Sequence, residues 1–363
     1  MREVIFIKLS KRFPSVFIFS AALAVMIFSV LFPAETAEAA KDGLSLCAEK
    51  VIPSLFMFIC AARLISKSGI ERLFEKCKLL LAFFGVSPAG MTVVFTGFLC
   101  GFPSGATVAA ELCKSKLMTS EEACSLLPFT NCAGAAFLIG AVGSSMFGET
   151  KAGTVLFITQ SVTSALLLTL SAPRRRACLA CAFPPPPHKN SDAGKSCGAA
   201  GAVASAVAEG GAATVAITAF VTFFRVLTAM TAKIIKIPAV TNLFACIFEV
   251  TCGLAGLSAY YTSKPMMTIA LSAAAVGFSG LSVMAQVFER ASDAKIKTGG
   301  YFAGKLVLSL AMAIISVPIY KIFYENNTKI AVILCVFLFA TTIAHILREK
   351  LSKRGRKIRS YDI

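Results

Sequence analysis

Phe95-Thr96-Gly97-Phe98-Leu99-Cys100-Gly101-Phe102-Pro103-Ser104-Gly105-Ala106 breaks an apolar stretch with glycine, proline and serine. A second stretch, Ala275-Val276-Gly277-Phe278-Ser279-Gly280-Leu281-Ser282, is broken by the same small residues in the other half of the chain. Matched interruptions of this kind are the best sequence pointer to a carrier's binding site. Backbone freed by such a break is tolerated in a bilayer only where it lines a cavity or is buried in protein. The expected fold is therefore all-α: a polytopic membrane protein with two broken or re-entrant helical hairpins.

Composition agrees. Hydrophobic residues make up 56% and charged residues 15% of the chain, with a mean hydropathy of +0.77. Both depart from soluble domains in the membrane direction. Apolar runs near 13–33, 51–66, 125–147, 152–172, 211–232, 240–258, 301–320 and 328–347 are long enough to be read as spans. The interrupted segments 79–112 and 265–290 add to them, and both are expected to be re-entrant.

The net charge of +17 is placed at membrane edges rather than on a nucleic-acid platform. Arg2, Lys8, Lys11 and Arg12 precede the first span, Arg174 to Arg176 follow the run ending near 172, and the tail carries Arg348, Lys350, Lys353, Arg354, Arg356, Lys357 and Arg359. The positive-inside rule puts these regions, and so both termini, in the cytoplasm. Anionic lipid is the natural partner of the tail. No aromatic–basic surface accompanies the charge, so nucleic acid is excluded.

Most of the thirteen cysteines, Cys60, Cys100, Cys246 and Cys335 among them, sit in apolar runs as small hydrophobes. Cys178, Cys181, His188 and Cys197 are the exception, but their spacing is irregular and Pro184 to Pro187 interrupt them. A linker is the better reading there than a zinc site. Basic residues, an apolar run and Ala37-Glu38-Ala39 resemble a signal peptide. The run exceeds a usual signal core, so a retained anchor is expected.

This divides the chain into an anchor helix and outer loop (1–50), a first repeat (51–172), a cytoplasmic Pro-rich linker (173–205), a second repeat (206–347) and a basic tail (348–363). Phe58 to Ser66 resembles Phe220 to Thr228, with Arg63 and Arg225 in matching places, and Gly101-Phe102 resembles Gly277-Phe278. Ile70, Leu73, Phe74, Cys77, Leu80 and Leu81 form one face of an interfacial helix. Thr119-Ser120-Glu121-Glu122 reads as a capping box, and Pro128 interrupts the helix it starts.

Catalytic signals are missing. Gly299 to Lys305 approaches a phosphate loop, but Leu306 stands where Ser or Thr would bind magnesium. The chain is therefore read as no enzyme, with no cofactor and no metal. Glu249 stands inside an apolar run and is a functional candidate by default, with Thr251 beside it. It would bind a proton or cation, or pair with Arg225 or Lys305. The breaks suit an anionic ligand, since a helix starting at Ser104 or Ser279 offers unpaired N–H groups and a positive dipole end. The expected binding set is Gly101, Ser104, Gly105, Thr130, Asn131, Ser279, Gly280, Ser282 and Gln286. Glu111 is expected to match Gln286. Arg63, Arg225 and Lys305 are the candidate charge partners.

Gly101 to Ala106, Phe129-Thr130-Asn131, Phe137 to Val142, Glu249 to Gly253 and Phe278 to Val287 resemble, in order, the sporulation integral membrane proteins of the YlbJ type, also called stage V sporulation protein V. One departure is that Ala135-Ala136 stand where the family carries a further proline. The resemblance implies two gate-like repeats of the nucleoside-recognition kind; a strictly inverted repeat would put the tail outside, and the tail's charge decides for a cytoplasmic tail. It also implies a transporter in the outer forespore membrane that moves dipicolinate, a small dianion, toward the forespore. Gate domains also serve nucleoside and ion carriers, so another small anion or a nucleoside is the alternative cargo. A scaffold for spore-envelope assembly is the non-transporting alternative, and a homo-oligomer stays open.

Overall fold

The computed structural model describes residues 19–20, 22–67, 74, 76–181 and 199–326. Among the described residues every regular element is helical. The apolar helix Ala22–Leu31 (α1) is followed by Pro33–Leu46 (α2). A π-helical turn, Cys47–Val51, joins α2 to Ile52–Lys67 (α3). The segment 33–50, expected as an outer loop, is therefore helix. Pro33–Ala61 forms one 29-residue apolar candidate span, because the π turn carries the helix across without a stop.

Lys78–Phe84 (α4) and Pro88–Cys100 (α5) meet at a bend of 76° through Gly85. Of the expected interfacial helix 70–81, residues 70–73 and 75 lie outside the described residues, and Lys78–Leu81 is the start of α4. Ser104–Lys114 (α6) follows α5 and folds back on it, so closely that a Cβ on Gly105 would stand 3.2 Å from Gly97 Cα. At 1.5 Å per residue, α5 and α6 are roughly 20 and 16 Å long, short of a hydrocarbon core of about 30 Å. This break is a hairpin.

Ser120–Thr130 (α7) starts as the capping signal predicts, with the Thr119 hydroxyl accepting from the Glu122 amide at 3.1 Å. The Glu122 side chain does not close the box. It crosses to Ser87 instead, accepting from the Ser87 amide at 2.8 Å and hydroxyl at 2.9 Å. Chain 131–134 then leaves the helix, and helix resumes at Ala135 as a π-helix, Ala136–Met146. The run 125–147 is thus broken, although the family's further proline is missing.

Thr150–Cys181 (α8) passes through Pro173, and Ala199–Ile234 (α9) begins at 199, so the described ends of the expected linker, 173–181 and 199–205, are helix. Arg175 explains part of this. It is buried among α4 and α8, donating to the Phe84 carbonyl at 2.6 Å and the Ser171 hydroxyl at 2.7 Å. Residues 182–198, the proposed zinc ligands His188 and Cys197, the tail and the run 328–347 lie outside the described residues, as do the side chains of Cys178 and Cys181.

Pro238–Phe248 (α10) and Val250–Ser258 (α11) split the run 240–258 at Glu249, whose backbone is extended (φ −150°, ψ 121°). Pro265–Phe278 (α12), Gly280–Asp293 (α13) and Tyr301–Tyr324 (α14) complete the order. Here the expectation of two hairpins fails. Pro265–Asp293 runs as one 29-residue candidate span with a local break at Ser279. Ser279 and Gly280 turn left-handed, with φ 71° and 78°, and α13 continues onward instead of folding back. Among the described residues five helices are long and apolar enough to cross a membrane, or six if α4 and α5 count as one bent span. α9 packs against α2 and α3, while α12 packs along α14, and one hydrophobic core runs through both halves.

Candidate functional site

Four helix breaks meet inside this core, in two pairs. Gly101 sits at φ +75°, and a Cβ there would come within 2.4 Å of the Gly134 amide nitrogen. Only glycine allows both the turn and the approach. Gly280, at φ +78°, stands against the other break, where a Cβ would meet the Val250 nitrogen at 3.1 Å and Glu249 Cα at 3.2 Å. The 101–103 break thus packs on 131–134, and the 279 break on Glu249.

Lys305 ties the two pairs together. It has no exposed surface, and its Nζ donates to the Asn131 carbonyl at 2.7 Å and the Ser279 hydroxyl at 2.9 Å. That hydroxyl donates in turn to the Val276 carbonyl at 3.1 Å. Asn131 ends α7 and Ser279 ends α12, so the ammonium lies at two helix C-termini. Each such end carries a partial negative charge of about half an electron. Among the described residues no carboxylate lies within ion-pair distance of Lys305. The Asn131 amide donates to the Tyr301 hydroxyl at 3.0 Å, while its own oxygen has no partner among the described residues. Gln160 of α8 holds the frayed chain from the other side, accepting from the Ala133 amide at 2.9 Å and donating to the Ala133 carbonyl at 2.7 Å.

Beside this node is a cavity of about 30 Å³. Its polar wall is Glu249, Thr251, Ser282 and Gln286, and its apolar wall includes Cys100, Phe102, Phe137, Ile217 and Val221. The Glu249 carboxylate accepts from the Thr251 hydroxyl at 3.0 Å and from the Cys252 amide at 2.8 Å. It therefore caps α11 and occupies the N-terminal position an anion would take.

The expected site residues separate into groups. Glu249, Thr251, Ser282 and Gln286 share the cavity wall. Asn131, Ser279 and Lys305 form the node. Thr130 turns its hydroxyl back to the Leu126 carbonyl, and its own carbonyl faces Gly97. Gly101, Ser104 and Gly105 are packed in the hairpin, so the start of α6 is closed by protein. The start of α13 is closed in the same way by the Glu249 break. Arg63 pairs with Glu209 at 3.5 Å and Arg225 with Asp42 at 3.2 Å, both within the α2, α3 and α9 layer. Glu249 pairs with neither Arg225 nor Lys305. Glu111 is exposed, so its match to Gln286 fails in space. Gln160, Tyr301 and Gly134 escaped the sequence reading. Gln160 left a usable signal, being a lone amide inside a 24-residue apolar span.

The fold and its interior define an all-α polytopic membrane protein whose broken helices converge on buried polar groups. No family model and no solved structure matches the chain. Among curated proteins, the sporulation integral membrane protein YlbJ of Bacillus subtilis (strain 168) is 34% identical over 128 residues. That match covers 34% of this chain and 31% of the relative, so the chain spans about a third of the length of the protein it matches. The chain is thus an integral membrane protein distantly related to a sporulation membrane protein.

Proposed function

We propose that the chain is a secondary transporter for a small carboxylate anion, working by alternating access, with dipicolinate as the first substrate to test. The convergence of four breaks on one buried lysine and one polar-walled cavity carries this reading. Helix breaks in a bilayer must find internal partners, and a bundle that only held its shape would have no need of four at one point. The interior charge favours an anion, because Lys305 lacks a carboxylate partner among the described residues. Gln286 and Ser282 supply neutral donors in the cavity wall. In this reading the chain is no enzyme, both termini face the cytoplasm, and it acts in the outer forespore membrane.

The cavity is about 30 Å³, room for about two water molecules. A flat aromatic dicarboxylate is several times larger, so the form described is closed and transport requires the breaks to part. The same small volume favours a second reading, a membrane scaffold for envelope assembly with no cargo.

Uptake of labelled dipicolinate into liposomes containing the purified protein separates the two. Transport predicts accumulation that Gln286→Leu with Ser282→Ala lowers by about tenfold or more, the size of one lost hydrogen bond to a charged group. Oriented, folded protein that moves neither dipicolinate, other small carboxylates nor nucleosides sinks the transporter reading and leaves the scaffold.

A further inference from the structure

Lys305 has the surroundings of a bound metal ion rather than of an ion-paired side chain. Its Nζ is fully buried against a backbone carbonyl and a hydroxyl, each at a helix C-terminus, and no acid faces it among the described residues. Carbonyls freed at helix breaks, hydroxyls and C-terminal dipole ends are the ligands that hold a sodium ion in discontinuous-helix carriers. The unpartnered Asn131 oxygen is a further buried oxygen on the same residue as the carbonyl ligand. Tyr301, one helical turn before Lys305 on α14, holds the Asn131 amide and offers its ring face 5.8 Å from the ammonium.

We infer that Lys305 is a tethered cation filling a monovalent-cation site formed by the Asn131 carbonyl and the Ser279 hydroxyl, so that the protein needs no bound sodium or potassium to close its breaks. The site belongs to the chain itself. Its ligands come from α7 in the first half and α12 in the second, and the ammonium reaches both from α14. This rests on the transporter reading only for its consequence for coupling; the cation site stands on the geometry.

The test is melting of the full-length, detergent-solubilised protein in N-methylglucamine chloride, with sodium, potassium or methylammonium chloride added in turn. Wild type should respond to none of the small cations beyond a common salt effect. Lys305→Ala should melt roughly 5 °C or more lower and recover saturably with methylammonium or sodium, which fit the vacated space. A Lys305→Ala protein indifferent to all three ions, or a wild type stabilised saturably by sodium, overturns the inference. If the alanine variant does not fold, Lys305→Met decides. It keeps the chain length without the charge and should lose stability, and a methionine variant as stable as wild type overturns the inference. Where wild-type liposomes take up anion, uptake should be equal in sodium and N-methylglucamine media. Absence of uptake in both counts against the transporter reading and leaves the melting result to judge the cation site.

Discussion

At the scale of single residues, the interior is made of side chains that repair backbone. Gln160 does so twice over on Ala133, and Glu249 caps the helix it starts. Gln160→Leu would leave both Ala133 backbone groups buried without partners, at about 1–3 kcal/mol for each group. A melting point at least several degrees below wild type is the expected outcome, and an unchanged one would show that Gln160 is not needed at the break. Glu249 was visible in the sequence as a carboxylate out of place, but its structural part was not. Glutamate is not among the residues preferred at helix starts, so nothing announced that the helix would stop at Phe248 and begin again at Val250. Asn131 and Ser279 were legible for the opposite reason. Small polar residues beside glycine or after a helix proline are where backbone departs from a helix.

At the scale of elements, helix crossings depend on glycines that let backbones touch. Gly97 lies under the Thr130 carbonyl, with space for no Cβ, since one would sit 2.0 Å from that oxygen. Gly97→Leu would separate α5 from α7 and shift the Asn131 carbonyl from Lys305. The expected result is loss of folded protein on size-exclusion chromatography, or a fall of more than 3 kcal/mol in stability if it folds, the cost of strong overpacking. A stable, monodisperse Gly97→Leu protein would contradict the close crossing. The glycine and proline pattern revealed that α5 breaks, and correctly gave a hairpin there. It could not separate that break from the one at Ser279, because small residues permit a turn without setting its angle. Pro173 misled in the other direction. Proline usually ends helices, but α8 continues past it with Arg175 anchored among neighbouring carbonyls, and no local pattern encodes a partner from α4.

At the scale of the whole molecule, the halves are clasped away from the lysine node as well as at it. The Tyr261 hydroxyl donates to Glu149 at 2.5 Å and meets the Tyr324 hydroxyl at 2.8 Å, while Phe147 stacks on Tyr261 at 5.0 Å. Burial first, then the bond to Glu149, pushes the Tyr261 phenol up, so its proton stays in place across the working pH range. Tyr261→Phe keeps the stacking and removes the donor. It should lower stability by about 1.5–3 kcal/mol in chemical denaturation, the worth of a hydrogen bond to a charged group. A Tyr261→Phe protein as stable as wild type would show that the aromatic stack alone holds the ends. This clasp was illegible in sequence, because its members are 112 and 63 residues apart. The runs 152–172, 211–232 and 301–320 fall inside helices long and apolar enough to cross a membrane, since twenty apolar residues need no partner to declare themselves, whereas 125–147 and 240–258 are broken.

The lysine node also sets an order of manufacture. The Asn131 carbonyl receives its donor from Lys305, 174 residues later. A chain growing from the ribosome must therefore hold an open polar backbone in the lipid, or delay the packing of its first half, until the last described helix arrives. That helix brings a charged side chain near its own start, and the pocket that accepts the charge is already waiting. A first half made without α14 would leave the Asn131 carbonyl without this donor, and a less stable fragment is the expected outcome.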